Sequence, residues 1–189
     1  TPLPLVLDAA NRLYLRRYFD YERRLAMQLV RRAGGGASPP EPGAESDWQQ
    51  YAVALALSRR LAVVSGGPGT GKTTTVAMLL ARVLEENPRA RVALAAPTGK
   101  AAARMLESLR AARLPDAVRA RLPAEAHTIH RLLGVTPRAG RFRHDANHPL
   151  PLDALIVDEA SMLDLALAAR LVEAVPESAR LVFLGDKDQ

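Results

Sequence analysis

Cysteine is absent from the 189 residues, which removes disulfides and thiolate metal sites from consideration. No apolar run approaches the roughly 20 residues of a membrane-spanning helix. The amino end carries no charged-then-apolar secretory segment, and no internal repeat is visible. These absences lead to the expectation of a soluble, cytoplasmic protein with no membrane partner. A hydrophobic fraction of 48% is enough for the core of one ordinary domain plus some additional chain.

Lysine is scarce as well. Three lysines stand against 23 arginines within a net charge of +6. That charge favours a polyanionic partner such as nucleic acid, but an arginine-loading genome would produce the same balance. The lysines are more informative for being few, because a compact ammonium and a planar guanidinium suit different sites. Lys72, Lys100 and Lys187 all fall in segments that carry candidate chemistry.

Residues 1–33 include a helix expected over 15–32, rich in Tyr and Arg, and read as the end of an amino-terminal region. The stretch 34–46, dominated by Gly and Pro, reads as a flexible linker. From 47 to 189, short apolar runs alternate with helical patterns. Strands are expected at 61–65, 91–95, 155–158 and 181–184, and helices at 72–86, 99–112 and 165–174. Apolar strands separated by helices imply an α/β fold with a mostly parallel sheet and helices on both faces, preceded by a small helical segment.

Gly66-Gly67-Pro68-Gly69-Thr70-Gly71-Lys72-Thr73 is a phosphate loop placed between a strand and a helix. Its glycines let backbone N–H groups turn inward around phosphates. Lys72 neutralises the β and γ phosphates of ATP, and the Thr73 hydroxyl ligates Mg2+. Downstream, Asp158 and Glu159 end an apolar strand. Asp158 is the second magnesium position and Glu159 the candidate general base for water. The plain alternative is a helix cap. The Gly185-Asp186 turn, running on to Gln189, is a third polar strand end, suited to contacting the γ phosphate or to being an ordinary turn.

Two further segments suit nucleic acid. Pro97-Thr98-Gly99-Lys100 follows a strand and opens a helix, so its N–H groups can meet a DNA phosphate. Thr128 can cap the short helix that contains His130 and offer a hydroxyl to phosphate. Both contacts would be independent of sequence, and both residues serve equally as ordinary caps. His127 and His130 lack the third protein ligand that a catalytic zinc needs. Residues 137–149, with several arginines, form either a basic hairpin or a solvated loop.

In order, SGGPGTGKTTTV (Ser65–Val76), LAAPTGKAAARM (Leu94–Met105), TIHRLLG (Thr128–Gly134), LIVDEASML (Leu155–Leu163) and VFLGDKDQ (Val182–Gln189) resemble the superfamily 1 helicases, closely the RecD type, the alpha subunit of exodeoxyribonuclease V. The resemblance implies a RecA-like P-loop NTPase domain that uses ATP and Mg2+. It implies that Gln49, in Trp48-Gln49-Gln50, holds adenine, and that Gly69, Gly71, Lys72, Thr73 and Thr74 hold the triphosphate. Asp186 and Gln189 would couple the γ phosphate to the DNA site. Pro97, Thr98, Gly99, Lys100, Thr128 and His130 would contact single-stranded DNA.

The resemblance further implies a 5′–3′ motor acting on single-stranded DNA or DNA ends, partnered by RecB- and RecC-like subunits in recombinational repair. The amino-terminal region would dock those partners. No acidic nuclease cluster is visible in this chain. A stand-alone RecD-like helicase and a non-catalytic, nucleotide-gated DNA-binding subunit are the alternatives. Family members close a second motor domain with arginine fingers over ATP. The third motif here falls at the last residues, so the expectation is that this chain alone binds nucleotide but neither unwinds DNA nor hydrolyses ATP well.

Overall fold

Burial in the central strands explains why the sheet is covered on both sides. The computed structural model describes residues 3–34, 47–67, 69–136 and 141–186. The linker beyond Gly34, Pro68, residues 137–140 and the Lys187–Gln189 end of the third motif lie outside the described residues. In β6 (Ala154–Val157) every residue is buried. Ala154 and Ile156 join one apolar cluster, and Leu155 and Val157 join another. Successive side chains of a strand point to opposite faces, so a strand with no polar residue must be covered twice. Arg180–Gly185 (β7) divides the same way, with Val182 and Leu184 on one side and Leu181 and Phe183 on the other.

The main sheet has five strands in the order β3-β7-β6-β4-β5, adding β3 (Leu61–Ser65), β4 (Val92–Ala96) and β5 (His127–Thr128), and each neighbouring pair is parallel. One face is covered by α2 (Trp48–Ser58), α3 (Lys72–Glu86) and α4 (Gly99–Ala111). The other is covered by α1 (Arg16–Ala33), α6 (Ile129–Leu133) and α7 (Leu165–Ala174). A short helix, α5 (Asp116–Arg119), adds Val118 to the first cluster. Each fully buried Leu or Ile here contributes about 1.5–3 kcal/mol.

Several elements depart from expectation. The strand expected at 91–95 runs from Val92 to Ala96, and the helix expected from 15 starts at Arg16. Residues 48–58 form a helix, held at its start by the Asp47 carboxylate, which accepts from Gln49 N and Gln50 N. Upstream, Leu5–Leu7 (β1) and Leu13–Leu15 (β2) pair as an antiparallel hairpin with Leu5 opposite Leu15. Its turn is fixed by Asp8, which accepts from Ala10 N and Arg12 N at 2.9 Å each.

Helix α1 is not separated from the sheet. Leu25 and Leu29 pack on the second cluster. Arg32, 3% exposed, donates to Val172 O, Val175 O and Pro176 O. These carbonyls end α7, where a cation is favoured by the helix dipole.

Candidate nucleotide site and nucleic-acid edge

The glycine loop closes the carboxyl end of β3, the strand at one edge of the sheet. Gly66 N donates to Gly185 O at 3.1 Å, which ties the start of the loop to the end of β7. Gly69 and Gly71 adopt φ of 77° and 86°, left-handed values that side chains rarely tolerate. Gly71 is also the residue preceding α3, and no side chain caps that helix. The first-turn N–H groups of α3 are therefore left for an anion. Lys72 Nζ donates to Gly66 O and, at 3.0 Å, to Gly67 O, so the loop holds its own cation.

Lys72 lines two cavities. One, of about 420 Å³, is bounded by Gln49, Tyr51, Leu55, Ser65, Gly66 and Thr70. The other, of about 450 Å³, is bounded by Thr73, Arg104, Glu107, Asp158 and Glu159. Gln49 lies so close to the loop that a Cβ on Gly71 would collide with its Nε2. Thr70 Oγ1 donates to Gly67 O at 2.9 Å. Thr74 is exposed and lines neither cavity.

The strand order explains how the acidic residues reach this loop. Asp158 N donates to Ala95 O at 2.9 Å, and the Asp158 carboxylate accepts from Glu159 N at 2.9 Å. Glu159 has φ of 51°; among the described residues the only other non-glycine with positive φ is Asn11, in the hairpin turn. Such a conformation costs a non-glycine side chain about 1–2 kcal/mol and recurs at functional sites.

A hydroxyl and a carboxylate are hard oxygen donors of the kind Mg2+ takes, and Mg2+ needs few protein ligands because water and phosphate complete its shell. Thr73 and Asp158 fit that requirement. Among the described residues no group of three or more His, Cys, Asp or Glu side chains forms a denser metal site.

Asp186 directly follows Gly185, whose carbonyl meets Gly66 N. It is 9% exposed and lines a separate cavity of about 460 Å³, facing α1, with Leu25, Leu29, Val63 and Phe183. The structure does not bring it into the cavity with Lys72. Arg104, Glu107 and Ser108, which do line that cavity, escaped the sequence reading. For Arg104 and Ser108 the one signal is spacing, since Ala101, Arg104, Met105 and Ser108 recur as a single stripe of α4.

The candidate DNA residues gather at the same carboxyl end of the strands, toward the opposite edge of the sheet. β4 and β5 pair with Ala96 beside Thr128, so Pro97–Lys100 and Thr128 are neighbours. Both threonines cap helices: Thr98 Oγ1 accepts from Ala101 N at 3.2 Å and Thr128 Oγ1 from Arg131 N at 3.2 Å. Each hydroxyl keeps its proton to donate. Lys100 and His130 are exposed, and the His130 ring lies 6.0 Å from that of Phe142. Three strand spacings of about 4.8 Å separate β4 from β3, or roughly 14 Å. His127 Nδ1 is buried without a hydrogen-bond partner, and Glu125 stands 3.9 Å from it. No described helix is long and apolar enough to cross a membrane.

The family model of the AAA domain matches residues 49–189. The RecBCD enzyme subunit RecD of Mycobacterium tuberculosis is 47% identical over 191 residues, covering 94% of this chain and 33% of that protein. The same subunit of Haemophilus influenzae is 42% identical over 160 residues, covering 79% of this chain and 25% of that protein. The ATP-dependent RecD2 DNA helicase of Deinococcus radiodurans is 41% identical over 193 residues, covering 95% and 24%. The chain thus spans about a third or less of these relatives. Among solved structures, the UvsW helicase from bacteriophage T4 superposes with a TM-score of 0.51 at 13% identity, covering 87% of this chain and 59% of that one, a likeness of fold alone.

Proposed function

The chain belongs to the AAA-domain family, in its RecD-type superfamily 1 branch, and on that premise we propose that it is the first motor domain of an ATP-dependent DNA helicase subunit. The enzyme is of the RecBCD exodeoxyribonuclease V type, translocating 5′ to 3′ on single-stranded DNA in recombinational break repair. It works in the cytoplasm beside RecB- and RecC-like subunits. One observation carries the reading: Lys72 and Thr73 of the loop and Asp158 and Glu159 of the acidic strand end border a single cavity.

In this reading Lys72 exchanges its carbonyl partners Gly66 and Gly67 for the β and γ phosphates of ATP. Residues 66–74 surround the triphosphate, with Gly67 and residues 69–74 offering backbone N–H groups, and Gln49 reads adenine. Thr73 and Asp158 hold Mg2+, which neutralises phosphate charge when bound. Glu159 accepts the proton of the attacking water. From the end of β7, one residue beyond the Gly185 carbonyl that meets Gly66 N, Asp186 relays with Gln189 the state of the γ phosphate toward the DNA side, where Pro97, Thr98, Gly99, Lys100, Thr128 and His130 grip the phosphate backbone without reading sequence.

The test uses the full-length protein, comparing wild type with Lys72→Gln for ATP hydrolysis with and without single-stranded DNA. Wild type should be strongly stimulated by DNA, and the variant should fall by about 10²–10³. Equal, near-zero rates would remove the motor reading. The match to the Deinococcus RecD2 helicase favours a second reading, a helicase that acts alone. Purification from the native source without stoichiometric partner subunits would support it.

A further inference from the structure

The stripe Ala101, Arg104, Met105 and Ser108 turns α4 toward the P-loop helix, with Ala101 and Met105 buried and Arg104 exposed. Arg104 borders the cavity of Lys72, Thr73, Asp158 and Glu159, and no described side chain forms a hydrogen bond or ion pair with its guanidinium. Three carboxylates, Glu107, Asp158 and Glu159, share that cavity with two cations, Lys72 and Arg104. Lys72 is already engaged by Gly66 O and Gly67 O. Among the described residues that line this cavity, Arg104 is thus a cation without a side-chain partner, and its planar fork suits a phosphate with two parallel N–H bonds.

Helix α4 also begins at Gly99, directly after the Thr98 cap in the candidate DNA segment. Five residues at 1.5 Å each put Arg104 about 7.5 Å along the helix from Gly99. One helix therefore presents its first turn to the nucleic-acid edge and its second turn to the nucleotide cavity.

We propose that Arg104 is a ligand of the terminal phosphate of a bound nucleoside triphosphate, carried on the helix whose first turn meets single-stranded DNA. The proposal rests on the nucleotide reading given above. It assigns α4 two linked tasks: a shift of its start by bound DNA moves the guanidinium against the γ phosphate, and loss of that phosphate releases the helix.

Direct binding to the full-length protein tests this. ADP and a slowly hydrolysed triphosphate, ATPγS, are titrated with Mg2+ against wild type, Arg104→Gln and Arg104→Lys, with and without oligo-dT. Loss of one charge-assisted contact predicts that Arg104→Gln weakens ATPγS about tenfold or more, while ADP stays within about twofold. Arg104→Lys should fall between. The tightening of ATPγS by oligo-dT should shrink in Arg104→Gln. Equal weakening of ADP and ATPγS, or no change in either, overturns the assignment, and retained ADP binding shows that the variant is folded. Failure of the underlying reading looks different: wild type itself would bind neither nucleotide.

Discussion

Helices α3 and α4 leave the same end of the same parallel sheet, each with a glycine at or beside its start, yet they begin in opposite ways. The residue before α3 is Gly71 in a left-handed conformation with no side-chain cap. The residue before α4 is Thr98 in an extended conformation, with its hydroxyl already accepting from Ala101 N. A Cβ on Gly71 would strike Gln49, whereas a Cβ on Gly99 would meet only Thr128 Cγ2 at 3.9 Å. An uncapped helix start normally costs stability, so an open α3 start suits the anionic ligand proposed for it. The start of α4 is self-sufficient, and a phosphate arriving there meets side chains and whatever N–H groups Thr98 leaves over.

The sharpest way to break this comparison is to put the same methyl group on both glycines. Gly71→Ala forces a left-handed non-glycine residue, at about 1–2 kcal/mol, and displaces Gln49. Nucleotide affinity should fall at least about tenfold, and urea unfolding should shift to lower concentration. Gly99→Ala should change stability by no more than about 0.5 kcal/mol and leave nucleotide binding intact. Adding Gln49→Ala to Gly71→Ala should recover part of the stability, a coupling of about 0.5 kcal/mol or more between touching residues. Similar losses from both glycines would show that the two helix starts are not distinct.

Next in size is removal of the cap itself. Thr98→Ala should cost about 1 kcal/mol in unfolding free energy, because Ala101 N loses its partner. Nucleotide affinity should not move. Thr70→Ala on the other loop removes the bond to Gly67 O and should lower nucleotide affinity more than it lowers stability. If Thr98→Ala were silent in urea unfolding, the hydroxyl would have some role other than capping.

What the sequence disclosed follows the same division. The phosphate loop was legible because its chemistry depends on consecutive residues, and β3, β6 and β7 because apolar runs within strands of 4–6 residues have few alternative uses in an α/β pattern. Helix α2 was not legible as a helix. In Tyr51–Leu57 nearly every position is apolar, so no single face stands out. β5, with two residues, is too short to carry any period, and it exists because β4 offers a parallel edge. Arg104 in the Lys72 cavity and Asp186 outside it are products of tertiary packing, one from α3 against α4, the other from β7 emerging toward α1. The left-handed Glu159 is likewise invisible in the letters Asp-Glu-Ala.

The smallest expected effect lies at Lys100, the one residue of the α4 start that is charged. Its side chain is exposed, so Lys100→Ala should leave both the unfolding midpoint and nucleotide affinity where they were. If the side chain neutralises one phosphate of single-stranded DNA, the slope of log affinity against log salt should become shallower by about 0.7, with affinity lost most at low salt. Gly99→Ala, which adds no charge and removes none, should leave that slope alone even if it weakens binding by holding the backbone away from the strand. An unchanged slope in Lys100→Ala would mean that the capped helix start positions DNA without paying counterions for it, and that the electrostatic grip sits elsewhere along the β4–β5 edge.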